Sequence, residues 1–259
     1  MYSGLEYRNR SIVGLIVVLA LLFFCGNVAK DSHDAMEAAR LEAEAQKGKD
    51  EEEKRVIDPN KPMIALTFDD GPGKYTMQLL EQLEKYQARA SFFMLGLCIE
   101  EYPEEIQKMQ ELGCDIGNHT MNHKRLAKLD DAKIAREIRL PNKMLKKIIG
   151  QEATFVRPPY GVMNEVVQEK AGAPIVMWSV DTRDWETKKV SAVKKHVLST
   201  VQDGDIVLLH DIHETTVKAA MELIPTLIKK GYQLVTVSEM AEARGVELEN
   251  GEVYYHFRK

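Results

Sequence analysis

The chain has little cysteine, with three residues in 259. That excludes a small fold stapled by disulfides. It has no surplus of positive charge: the formal net charge is −5 and no basic stripe runs through it. Nothing therefore directs it to DNA or RNA. No internal repeat is visible, which sets repeat architectures aside. What is present is 44% hydrophobic and 29% charged residues, the balance of a soluble globular protein rather than a disordered one. The length allows one large domain with extensions, or two small domains, with a sizeable buried core.

Charge is spread unevenly. Residues 1–29 carry Glu6, Arg8 and Arg10, a sum of +1, whereas residues 30–56 carry nine acids and six bases, a sum of −3. Ser11 to Ala29 holds no charge, and Ile12 to Phe24 is almost wholly apolar. That length suits a bilayer-spanning helix. Arg8 and Arg10 before it put the N-terminus on the cytoplasmic side and export the rest of the chain. A signal peptide cut after Ala29 is opposed by Asn27 and Phe24, and a lipoprotein on Cys25 is opposed by Phe24. An uncleaved anchor over 1–29 fits best, followed by a charged linker over 30–60, a folded domain over 61–245 and a tail over 246–259. The expected location is the cytoplasmic membrane, with the domain outside.

From Pro62 apolar runs alternate with amphipathic stretches. Runs over 63–68, 90–95, 114–117, 154–156, 174–178, 205–209 and 233–237 read as strands. Stretches over 76–86, 103–112, 130–149, 190–201 and 215–230 read as helices. This alternation predicts an α/β fold with a parallel sheet of about seven strands. A complete eightfold barrel usually needs about 250 residues, so a distorted or incomplete (β/α) barrel is expected. Such folds put their chemistry at the C-terminal ends of the strands.

The residues just after the strands are chemically coherent. They are Asp69-Asp70-Gly71-Pro72, then Asn118-His119-Thr120-Met121-Asn122-His123, Arg157-Pro158-Pro159-Tyr160-Gly161, Asp181-Thr182-Arg183-Asp184-Trp185 and His210-Asp211. On a helical turn His119 and His123, four apart, would share a face and grip one ion. Two imidazoles with a carboxylate suit zinc or a similar divalent ion and leave a coordination position open. Adjacent Asp69 and Asp70 point apart at a strand end, so one binds metal while the other does something else. Each motif also has a plainer reading: surface histidines, an Asp-Gly-Pro turn, a structural histidine. Cys98 and Cys114 read as buried thiols, and their spacing does not decide a disulfide.

Together the five motifs resemble the polysaccharide deacetylases, carbohydrate esterase family four with the nodulation-type deacetylase domain. The resemblance covers about residues 61–240. It implies Asp70, His119 and His123 as metal ligands, for zinc or else cobalt, nickel or manganese. It implies Asp69 as general base and His210 as general acid. Arg157 would hold Asp69, and Asp184 would orient His210. The Tyr160 N–H would serve the oxyanion, and Trp185 and Leu208 would wall the acetyl pocket. The implied reaction is metal-dependent hydrolysis of an N-acetyl group on a cell-wall polysaccharide, first of all N-acetylglucosamine of peptidoglycan. N-acetylmuramic acid, chitin oligomers and acetylxylan are the alternatives. A sugar-binding module without chemistry is opposed by the presence of Asp69 and His210, which binding alone does not need. A tethered scaffold working through 31–56 is opposed by poor heptad order there.

Overall fold

Strand β1, Met63–Asp69, is buried at all seven positions. Its side chains alternate between two cores, as a strand's must. Ile64, Leu66 and Phe68 enter one cluster, and Met63 and Ala65 enter another. A strand buried on both faces reads as a continuous apolar run and belongs to a parallel sheet covered by helices. The structure is a computed structural model and describes residues 55–259, of which 57–259 form one compact unit. The proposed anchor over 1–29 and linker residues 30–54 lie outside the described residues. Among the described residues no helix is long and apolar enough to cross a membrane.

The other strands are β2 (Ser91–Met94), β3 (Asp115–Asn118), β4 (Ile175–Val176), β5 (Val180–Asp181), β6 (Asp205–His210), β7 (Gln233–Leu234) and β8 (Val253–Tyr254). The main sheet runs β3-β2-β1-β6-β5, with β7 also on β1, and all its pairings are parallel. The helices are α1 (Thr76–Lys85), α2 (Gly96–Ile99), α3 (Pro103–Glu111), α4 (Asp131–Ile149), α5 (Glu165–Ala171), α6 (Asp184–Thr187), α7 (Val190–Thr200), α8 (Glu214–Lys229) and α9 (Val237–Ala243). Leu79, Leu80 and Leu83 of α1 and Leu223, Ile224 and Leu227 of α8 are fully buried in the first core. Each contributes about 1.5–3 kcal/mol over an exposed position. Helix α4 starts at an N-cap, where the Asp130 side chain accepts from the Lys133 N–H, and stops at Gly150 with φ 76°. Both are standard helix boundaries.

The strand expectations hold in position and fail in length. The run 154–156 is only a bridging residue, with Val156 paired to Asn118 on one side and Ile175 on the other. The run 174–178 is reduced to β4, and the next pairing comes at β5. The run 233–237 stops after Leu234, because Thr236 caps α9 with a reciprocal Thr236–Glu239 capping box. That signal outranks the apolar run behind it. The sheet is not closed by continuous pairing; it passes from β3 through Val156 to β4.

Residues 246–259 differ from a tail. Val253 and Tyr254 form β8 in parallel with β4, and Phe257 is buried in the second core. The Phe257 N–H donates to the Gly204 carbonyl, and a Cβ on Gly204 would lie 2.4 Å from the Phe257 oxygen. Only two paired residues mark the strand, too few for a periodic pattern to show.

Candidate active site

The strand ends converge. β1 ends at Asp69, and Asp70 then takes φ 71°, turning the next carboxylate away from the first. Asp69 Oδ1 accepts from Arg157 Nη1 at 2.7 Å. Asp70 Oδ1 is buried with no hydrogen-bond partner. It lies 3.5 Å from His119 Nε2 and 3.3 Å from His123 Nε2. One ligand atom each from Asp70, His119 and His123 lie within 4.8 Å of one another. His119 Nδ1 is 2.7 Å from the Arg157 carbonyl. A carbonyl only accepts, so Nδ1 carries the proton and Nε2 keeps its lone pair for the cluster. Burial pushes the His123 pKa down against the pull of Asp70. A buried orphan carboxylate oxygen facing two imidazoles is a donor set that fits a divalent cation.

The His119–His123 turn is not helical, contrary to the expectation from spacing. Thr120 has φ 72° and His123 has φ 52°, both left-handed. Packing on α4 holds this unfavourable backbone. Pro141 lies inside α4 and has no N–H for the carbonyl four residues earlier. That carbonyl belongs to Glu137 and accepts instead from the Met121 N–H at 2.9 Å. The nearly buried Glu137 carboxylate accepts from both the Asn122 N–H and Asn122 Nδ2 at 2.8 Å. Asn118 Oδ1 accepts from the Thr120 N–H, while its Nδ2 donates to the Ile138 carbonyl. The His119–His123 turn is thus stitched to α4 at four points.

On the other side of β1, β6 ends in His210. Its Nδ1 lies 2.9 Å from Asp184 Oδ1. Asp184 Oδ2 accepts from the His210 N–H and from Thr216 Oγ1, both at 2.8 Å. Burial alone would lower the His210 pKa. The hydrogen bond and charge of Asp184, joined by Asp69 and Asp70, overcome it and push it up to about 9. Burial opposes ionisation of Asp184, yet His210 and Thr216 hold its pKa below the usual value.

Arg157 is fully buried between these groups. Three further N–H groups donate to Thr67 Oγ1 and to the carbonyls of Val176 and Met177. Its guanidinium sits 3.9 Å from the Phe93 ring centroid. Four of its five N–H groups are engaged and its face packs on Phe93, so Asp69 is held in one place.

Asp69, Asp70, His119, His123, Tyr160, Trp185, Leu208 and His210 line one cavity of about 490 Å³. Arg157 and Asp184 stand behind its wall, touching Asp69 and His210. Tyr160 is left-handed at φ 62°, and its ring meets the His123 ring edge-on at 4.6 Å between centroids. Three lining residues have no role assigned by the sequence: Arg125, Trp178 and Asp181. Asp181 and Trp178 sit at a strand end, where a rim position was the available signal. Arg125 reads as an ordinary charge on a polar loop. Asp211 has no assigned role either. It is buried, its pKa raised by burial to about 7, and it accepts from Thr76 Oγ1 at 2.5 Å. A Cβ on Gly71 would lie 2.4 Å from its carboxylate, so Gly71 is required for that approach. Cys98 and Cys114 are free thiols, and burial pushes Cys114 up to about 12.

Known proteins share this arrangement of chain. Residues 57–176 match the family model described as polysaccharide deacetylase. A peptidoglycan-N-acetylglucosamine deacetylase of Bacillus cereus is 40% identical over 190 residues, 70% of this chain and 89% of that one. The peptidoglycan-N-acetylmuramic acid deacetylase PdaC of Bacillus subtilis is 38% identical over 190 residues, 73% of this chain. This chain spans 41% of the length of that relative. A solved structure described as a T48 deacetylase with substrate superimposes with a TM-score of 0.74 at 36% identity, over 77% of this chain and all of the other. With the fold, the strand-end residues and these relatives in agreement, the chain belongs to the polysaccharide deacetylase family.

Proposed function

We propose that this chain hydrolyses N-acetyl groups on peptidoglycan, with N-acetylglucosamine as the first substrate and zinc as the metal. One observation carries the reading. Asp70, His119 and His123 converge to ligand distance in the cavity that Asp69 and His210 also line. A binding module needs the wall of that cavity, but it needs neither a carboxylate locked by a buried arginine nor a histidine charged by a buried aspartate.

A divalent ion held by Asp70, His119 and His123 would supply Lewis acidity to the acetyl carbonyl and to water. The remaining work falls to the chain's own residues. Asp69, fixed by Arg157, takes the proton of the attacking water. The Tyr160 N–H donates to the oxyanion as the carbonyl carbon becomes tetrahedral. His210 holds a proton at neutral pH. Its Nδ1 faces Asp184, so Nε2 delivers that proton to the departing sugar nitrogen. The C–N bond breaks, giving acetate and a free amine. Trp185 and Leu208 exclude water around the acetyl methyl. An apolar N-terminal run with Arg8 and Arg10 before it supports a membrane tether, with the domain facing the wall. N-acetylmuramic acid is the second reading, favoured by the 38% identical relative named for it.

The test is acetate release by the full chain in detergent from purified peptidoglycan and from N-acetylglucosamine oligomers. Zinc-dependent release that chelator stops and Asp69→Asn abolishes is the expected result. Metal-loaded protein that releases no acetate from either substrate overturns it.

A further inference from the structure

The cavity rim carries a cation with no partner acid among the described residues. Arg125 is exposed, two residues past the His123 ligand, and lines the cavity. Its guanidinium stacks on the Tyr160 ring at 4.3 Å from the centroid. Nearby cations are already answered: Arg157 by Asp69 at 2.7 Å, Arg183 by Glu186 at 2.5 Å and Lys124 by Glu137 at 3.3 Å. Arg125 makes no ion pair among the described residues. The acids that line the cavity, Asp69, Asp70 and Asp181, are not paired with it. Asp69 goes to Arg157, Asp70 faces the two histidines, and Asp181 Oδ1 accepts from the Arg183 N–H.

Stacking on an aromatic face fixes the plane of a guanidinium and leaves its N–H edges directed outward. A planar fork of donors recognises a carboxylate bidentately. Tyr160 touches both Arg125 and the ligand His123. The cation is therefore two ring contacts from the reaction centre, within reach of the reacting sugar or its neighbour.

We propose that Arg125 reads a carboxylate on the substrate strand. Resting on the function proposed above, this narrows the substrate to an N-acetylated glycan that carries an acid beside the acetamido group. Peptidoglycan offers that chemistry from two sources. One is the free lactyl carboxylate of a muramoyl residue lacking its peptide. The other is the carboxylates of an attached stem peptide, where the lactyl group is an amide. A neutral N-acetylglucosamine oligomer offers neither.

The experiment compares three ligands: neutral N-acetylglucosamine oligomers, stem-free glycan strands and peptide-bearing strands. Binding to the full chain is measured by calorimetry with chelator present, so that no turnover intervenes, and acetate release is measured separately with zinc. Wild type should bind at least one acidic strand tighter than the neutral oligomer of equal length. Arg125→Gln should weaken binding to that strand about tenfold more than binding to the neutral oligomer, the scale of one charge-assisted contact. Arg125→Lys should recover part of the difference, because it restores charge without the fork. The acidic strand that shows the effect identifies the source. Equal affinity of wild type for acidic and neutral ligands overturns the proposal. So does an equal loss on all three in Arg125→Gln, which would leave Arg125 only bracing Tyr160. Failure of acetate release with the binding difference intact would count against the deacetylase reading alone.

Discussion

His119 follows β3 and His210 ends β6, on opposite sides of β1, and the two are built for opposite ends. His119 meets a backbone carbonyl at Nδ1, which accepts a hydrogen bond but offers no full charge. His210 meets the Asp184 carboxylate at Nδ1, and the imidazolium becomes the preferred form, with a pKa of about 9. One ring is prepared to give a lone pair to a cation, and the other to give a proton to a leaving group. The difference lies in the neighbour two or three ångströms behind each ring. The supports differ too. His210 hangs on a regular strand and one buried acid, whereas His119 and His123 occupy a strained turn tied to α4.

Removing one histidine at a time separates the two roles most clearly. His119→Ala should lose the metal and at least about 10³-fold in turnover, seen as metal content and acetate release. His210→Ala should keep the metal and lose about 10²–10⁴-fold in kcat, the usual contribution of a general acid. If both variants lose metal alike, the two histidines do not divide the labour.

A gentler change targets the acid behind the ring. Asp184→Asn should move the alkaline limb of the pH–rate profile down from about 9. The sign follows from the raised pKa. Charged His210 stabilises the fold fully below its unfolded pKa near 6.5, and that stability is lost as pH rises through about 9. The contribution is of order 3 kcal/mol, so wild type should lose more stability than Asp184→Asn between pH 7 and 10, measured by denaturant unfolding. An unmoved limb would assign it to another group. The smallest effect is expected at the support of the other pair. Glu137→Gln should lower metal affinity about tenfold, the low end for losing a support behind a metal site, because it loosens Asn122 beside His123, and leave the alkaline limb in place. Unchanged metal affinity would mean that the Met121 and Asn118 contacts hold the turn unaided.

The sequence carried the site better than it carried the scaffolding. Asp69, Arg157 and His210 each follow an apolar run, and a parallel fold makes that position meaningful. The grip on the His119–His123 turn was not legible. It depends on a carbonyl that Pro141 leaves free and on which face of α4 Glu137 occupies, and both are set by packing. Val156 and β8 escape a sequence reading for a related reason: one or two paired residues have no period. Thr236 was readable as a cap, and an apolar run across it concealed the end of β7. Arg125 gave no signal at all, since an exposed arginine gains meaning only from the ring beneath it.

Strand β1 has a consequence in time. Among the described strands it is made first, and it lies between β2 and β6 with β7 at its start. Its pairing with β6 joins residues 141 apart, as in Ile64 with Asp205. At about 5–20 residues per second, roughly seven to thirty seconds of synthesis separate the two partners. Throughout that interval a seven-residue strand with no charge before Asp69 waits with an open edge, the form in which strands seize other chains. A holding chaperone or an engaged transport channel would serve this protein most during those seconds, and least once residue 210 has arrived.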